Sequence, residues 1–168
     1  ITVNPVNDVP VILDPGTQTF EEEKELLLEF QANDVEGDAI EFSITDGEYI
    51  HTEILDNIVQ FTAEEDYNGS EVFVITANDG LGESSISIEV TVTPVNDPPV
   101  IISTAPSSAI EDSSYTYQLV VTDIDSDEFY YSIENNPDGM SISEAGLITW
   151  LPSEGVTDSD DFITATVT

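Results

Sequence analysis

Two short loops carry acidic side chains at every second position. "DVEGD" sets out Asp34, Glu36 and Asp38, and "DIDSD" sets out Asp123, Asp125 and Asp127. Two Asn-Asp pairs, Asn7-Asp8 in "NPVNDVPVI" and Asn96-Asp97 in "TPVNDPPVI", stand between prolines 89 positions apart. Side-chain oxygens at such spacing can converge on one cation, and that is the chemistry they suit. Ca²⁺ fits best, because it takes about six to eight hard oxygens at about 2.3–2.6 Å, carboxylates and carbonyls alike. Mg²⁺ fits less well, since it prefers a small octahedral shell and keeps its waters. Left bare, neighbouring carboxylates repel and raise one another's pKa. Pro94, Pro98 and Pro99 restrict the linker, so less entropy is lost when it is ordered around an ion.

The charge balance points the same way. The chain of 168 residues has 36 acidic residues, a single lysine (Lys24), no arginine and one histidine (His51), for a formal charge of −35. Self-repulsion on that scale disfavours a compact state unless cations bind or salt screens it. Nucleic acid and anionic membrane surfaces are excluded as partners, because both call for clustered Lys and Arg. Hydrophobic residues still make up 39% of the chain, enough for packed cores rather than a disordered acidic tail. The lack of cysteine excludes disulfides, thiolate zinc sites and thiol catalysis. No apolar run reaches membrane length, so no direct membrane insertion is expected. The chain begins and ends inside strand-like patterns and reads as an excerpt of a longer protein.

The elements that must position these oxygens are strands. Apolar residues alternate at Ile40, Phe42 and Ile44, at Val72 and Val74, and at Ile86, Ile88, Val90 and Val92. Period-2 runs broken by Gly, Asn, Asp or Pro indicate half-buried strands. "EEEKELLLEF" has helical propensity, yet its repeat partner "EDSSYTYQLVV" argues for strand. The offset of 89 extends along the chain: Glu22 maps to Glu111, Asp34 to Asp123, Phe42 to Tyr131, Phe61 to Trp150 and Glu65 to Glu154. Two copies of one fold follow, with the register slipping by one near residue 160. Each copy suits an antiparallel β-sandwich of about 90–100 residues. The expected division is 1–9 as the last strand and linker of a preceding repeat, 10–97 as a first domain, and 98–168 as a second domain without its last strand.

Antiparallel strands reverse direction, so successive loops alternate between the two ends of a sandwich. That parity sends Asp34, Glu36, Asp38 and Asp79 to one end, beside the incoming Asn7-Asp8. It sends Glu21, Glu22, Glu64, Glu65 and Asp66 to the other, beside the outgoing Asn96-Asp97 and facing Asp123, Asp125 and Asp127. Acids scattered along strands, such as Glu29, Glu41 and Asp161, read as plain solvated surface.

These motifs resemble a known family. "PVNDPP" resembles the linker of cadherin repeats, "ANDVEGD" and "VTDIDSD" their A-x-D-x-D loop, and "ANDG" (77–80) their later A-x-D-x-G. "FTAEEDYNGSEVFVITANDGLG" is similar to bacterial tandem cadherin-like repeats of large secreted adhesins. "YTYQLVVTDIDSDEFYYSIENNPDGMSISEAGLITWLP" resembles the dystroglycan-type subfamily. The resemblance implies two tandem cadherin-like, Ig-like Greek-key sandwiches on a secreted or cell-surface bacterial protein, with Ca²⁺ stiffening the linkers between neighbouring repeats. It implies Glu22, Glu65, Asn96, Asp97, Asp123, Asp125 and Asp127 as ligands at the linker. Asn7, Asp8, Asp34, Glu36, Asp38 and Asp79 would serve the joint with a preceding repeat. Pro94 and Pro98 replace an Asp and an Asn of the fullest linker motif, and "AEED" stands for L-D-R-E, so about one or two ions per joint are expected.

Three function classes follow. The first is a calcium-binding extracellular structural and adhesive module, with homophilic contact as one form of adhesion. The second is a carbohydrate-binding module for cell-surface glycan, using Tyr115, Tyr117, Phe129, Tyr130 or Tyr131. Alternation there sends Phe129 and Tyr131 inward beside Trp150 and leaves Tyr130 outside. The third, an enzyme, is not supported, since His51 has no nucleophile paired with it and abundant carboxylates have no specificity as an acid–base pair.

Overall fold

The computed structural model describes residues 1–2, 6–155 and 163–168. The described residues form strands, turns and loops, and fall into two units, Ile1–Val95 and Asn96–Thr168. The expected register slip near residue 160, the strand character of residues 3–5 and the surface role of Asp161 lie outside the described residues.

The first unit runs through β1 (Val11–Ile12), β2 (Gln18–Glu21), β3 (Glu25–Glu29), β4 (Ala32–Asn33), β5 (Glu41–Ile44), β6 (Ile50–Leu55), β7 (Ile58–Ala63), β8 (Gly69–Asn78) and β9 (Glu83–Thr93). One sheet has the order β2-β9-β8-β5, a second has β3-β7-β6, and β1 pairs with β4. The acidic stretch before Phe30 is strand, as its repeat partner implied: Leu26 and Leu28 pack on the core while Leu27 faces out. Phe61 of β7 meets Phe73 of β8 edge to face, with centroids 5.2 Å apart. Around them Phe30, Ile50, Val59, Ile75, Ala77, Val90 and Val92 are buried.

Two expectations are corrected. Strand β8 turns Phe73, Ile75 and Ala77 inward and leaves Val72 65% exposed, with Val74 outside too. Both faces of "VFVITA" are apolar, so alternation alone does not choose, and the larger Phe takes the core. The ladder is also not wholly antiparallel, because β2 runs parallel to β9, Gln18 opposite Val90 and Glu21 opposite Thr93. Strand β1 first pairs with β4, and after Pro15-Gly16 the chain joins the other sheet.

The second unit repeats this plan with β10 (Val100–Ile101), β11 (Tyr115–Gln118), β12 (Val121–Thr122), β13 (Tyr131–Glu134), β14 (Ser141–Ile142), β15 (Leu147–Trp150) and β16 (Thr164–Val167). β10 pairs with β12 as β1 does with β4, and β11-β15-β14 matches β3-β7-β6. Its core centres on Leu119, Met140 and Ile148, with Tyr115, Tyr117, Tyr131 and Trp150 packed around them. Phe129 is half-buried and lies 6.4 Å from Tyr131, beside the core rather than in it. The offset survives in backbone detail. Glu23 and Asp112 both take left-handed φ values, 60° and 58°, and Lys24 N→Glu21 O and Ser113 N→Ile110 O both measure 3.2 Å.

Candidate cation-binding rims

In the first unit the entering segment 7–10 lies against the β8–β9 turn and the loop after β4. Asn7 Nδ2 donates to Asp79 Oδ2 at 2.9 Å and to Asp8 O at 3.2 Å. Asp8 N donates to Glu36 Oε2 at 3.2 Å, and Asp38 N to Asp34 Oδ1 at 2.9 Å. Asp79 Oδ1 accepts from Leu81 N at 2.7 Å and Gly82 N at 2.6 Å. The Asn7 amide foremost, then the Leu81 N–H, holds the Asp79 carboxyl below its ordinary range. Loop parity therefore put Asn7, Asp8, Asp34, Glu36, Asp38 and Asp79 at one end correctly.

Two oxygens of this rim, Asn7 Oδ1 and Asp34 Oδ2, are buried from solvent and accept no hydrogen bond. A buried acceptor without a partner costs about 1–3 kcal/mol and is uncommon in folded proteins. Both atoms are hard oxygens in a strongly negative surround, so this donor set fits Ca²⁺. Among the described residues no group of three or more His, Asp or Glu side chains is gathered as a formed metal centre.

The remaining predicted residues divide between the units. Glu22 is 2% exposed, the one buried charged side chain among the described residues, and its Oε1 accepts from Val95 N at 2.5 Å. Its backbone N–H donates to Thr93 O at 3.0 Å, so the acid is built into the exit of β9. Glu65 is exposed on the turn after β7. In the second unit Asn96 Nδ2 donates to Asp97 O at 2.8 Å, and Asp97 N to Asp125 Oδ2 at 2.6 Å. Asp123 Oδ1 accepts from Asp125 N and Ser126 N at 2.8 and 2.9 Å, and Asp127 is exposed. The Asn–Asp pair and the loop thus repeat one hydrogen-bonding device, with Asp125 in the place of Glu36.

Some positioning contacts carry no sequence signal of their own. Ser84 Oγ donates to Pro10 O, and Gly82 lies so close to Val9 that a Cβ there would sit 2.6 Å from Val9 Cγ1. At the opposite end of the unit the Glu71 carboxylate accepts from the backbone N–H groups of Glu48, Tyr49 and Ile50, at 3.1, 2.9 and 3.3 Å. Alternation marks Glu71 as surface, and only the folded turn brings those three donors to it. Of the aromatic candidates for sugar stacking, Tyr130 alone is widely open, at 76%, while Tyr115, Tyr117 and Tyr131 pack on the core.

Two β-sandwich units of one plan, each with an acid-rich rim, define a tandem Ig-like class. A model of the bacterial Ig domain matches residues 7–93 and again 96–168. The chain belongs to that family, as two tandem repeats. Among solved structures it is similar to human protocadherin-24 EC1-2, at 17% identity and TM-score 0.64, over 95% of each chain. It is also similar to Drosophila N-cadherin EC1-4, at 13% identity and TM-score 0.57, over 96% of this chain and 48% of that one. At these identities the likeness shows the fold, a cadherin-like sandwich in tandem. A search of curated proteins found no match.

Proposed function

We propose that the chain is a calcium-binding extracellular structural and adhesive module, in which Ca²⁺ at the linkers stiffens a row of β-sandwich repeats. The observation that carries this reading is the pair of bare buried oxygens, Asn7 Oδ1 and Asp34 Oδ2, within the rim. That rim also holds Asp8, Glu36, Asp38 and Asp79, and the six residues would serve one joint. Glu22 and Glu65 of the first unit, and Asn96, Asp97, Asp123, Asp125 and Asp127 of the second, would be further ligands. The ion supplies positive charge where a chain of formal charge −35 has almost none of its own. The protein's part is to fix the linker: Glu22 holds Val95, the Asn side chains bond the next carbonyl, and the prolines limit backbone freedom. Cadherin-like architecture in a bacterial Ig family supports a place on the cell surface or outside the cell, with neighbouring repeats as the first partners.

Extracellular calcium modules bind at about 10⁻⁴–10⁻³ M, so millimolar calcium should raise the melting temperature and chelator should lower it. Small-angle scattering should show a larger spread of dimensions in chelator than in calcium. Superimposable scattering and melting curves under both conditions would sink the reading.

A further inference from the structure

The hydrogen bonds of Asp79 and Asn7 divide the rim into two kinds of residue. Both acceptor positions of Asp79 Oδ1 are filled by Leu81 N and Gly82 N, and its Oδ2 takes Asn7 Nδ2. Both hydrogens of the Asn7 amide are spent, on Asp79 and on Asp8 O, which leaves its Oδ1 bare and buried. Turned the other way, the amide would set its oxygen against a carboxylate oxygen, acceptor against acceptor. The chemistry therefore fixes the orientation. Just along the chain, Gly82 admits Val9 to within a distance no side chain would allow, and Ser84 Oγ donates to Pro10 O. Asp79 and Gly82 of the β8–β9 turn and Ser84 at the start of β9 thus grip residues 7, 9 and 10.

Resting on the calcium reading, we infer that Asp79 is a positioning residue: it clamps the entering segment without metal and turns Asn7 so that its amide oxygen, not its NH₂, faces the cation. Asp34, whose Oδ2 is bare, acts instead as a direct ligand. Groups that orient a metal ligand commonly cost about 10- to 100-fold in metal affinity when removed. The entering strand is then anchored before any ion arrives, and the cation completes a site the turn has already shaped.

The test pairs calcium titration by calorimetry with hydrogen–deuterium exchange in EDTA, on wild type, Asp79→Ala, Asn7→Ala and Asp34→Asn. Asp79→Ala should weaken calcium by about tenfold or more and speed exchange across residues 7–13 in EDTA. Asn7→Ala leaves the Asp79 turn intact but also removes the amide oxygen, so its exchange in EDTA, which should quicken likewise, is the readout of the clamp if Asp79→Ala folds poorly. Asp34→Asn should weaken calcium and leave that exchange unchanged. Unchanged exchange in both clamp variants makes Asp79 an ordinary ligand and overturns the inference. Faster exchange with unaltered calcium affinity makes the contact purely structural and also overturns it. A wild type that takes up no calcium is a separate result, which removes the calcium reading itself.

Discussion

Asp46 shows how a single carboxylate is used away from the acidic rims. Its Oδ1 accepts from Thr52 N at 2.9 Å, and its Oδ2 lies 3.7 Å from His51 Nδ1. The Thr52 N–H foremost, with lesser help from the Gly47 N–H and His51, holds the Asp46 carboxyl below the ordinary 3.8. A carboxylate whose folded pKa is depressed stabilises the fold above its unfolded value, and that contribution is lost as pH falls through the folded value. Asp46→Ala should therefore lower the melting temperature at pH 7. The gap from wild type should close as the solution is acidified below pH 3.8. Melting curves across that range check the expectation, and a gap that persists at low pH would mean the side chain acts through packing instead.

Strand β8 is the element on which the first unit turns, since it pairs with both β5 and β9 and carries Phe73 into the centre of the core. Phe73→Ala should cost about 3–5 kcal/mol in denaturant unfolding, whereas Val72→Thr, on the outer face, should stay within about 0.5 kcal/mol. Comparable losses at the two positions would contradict the assignment of faces. Most strands were legible because their alternation was one-sided: Ile86, Ile88, Val90 and Val92 leave no doubt about which side is wet. β8 was not, because "VFVITA" is apolar on both faces and volume decides between them. The rim divides in the same way. Reversal of antiparallel strands was enough to bring Asp79 to Asn7 and Glu36 to Asp8. Ser84 holding Pro10 O and Gly82 receiving Val9 depend on where a backbone passes within a few ångströms, which no residue type announces. The parallel run of β2 beside β9 was hidden too, since Gly16 and Pro15 mark a break without saying which sheet the chain enters next.

At the scale of the whole molecule, one plan is written twice with different margins. The first unit buries a broad aromatic and aliphatic core, whereas the described residues of the second centre on Leu119, Met140 and Ile148 within a ring of half-buried tyrosines. Both keep the left-handed turn at Glu23 and Asp112 and the Asn–Asp device ahead of the first strand. The parallel ladder between β2 and β9 adds a mechanical property to the first unit. The chain enters ahead of β2 and leaves at the end of β9, so tension between the two ends slides one strand along the other. The evenly spaced, slanted hydrogen bonds of this parallel pair span four residue pairs, Gln18 through Glu21, and sliding would load them together rather than one at a time. Stretching tandem copies singly should give this unit a distinct force peak. Proline at Gln18 or Thr19, one of which must lose a ladder N–H, should reduce it more than proline at Glu53 on the edge strand β6. Such a peak would make the short strand after Pro15-Gly16 a shear clamp between the two ends of the unit.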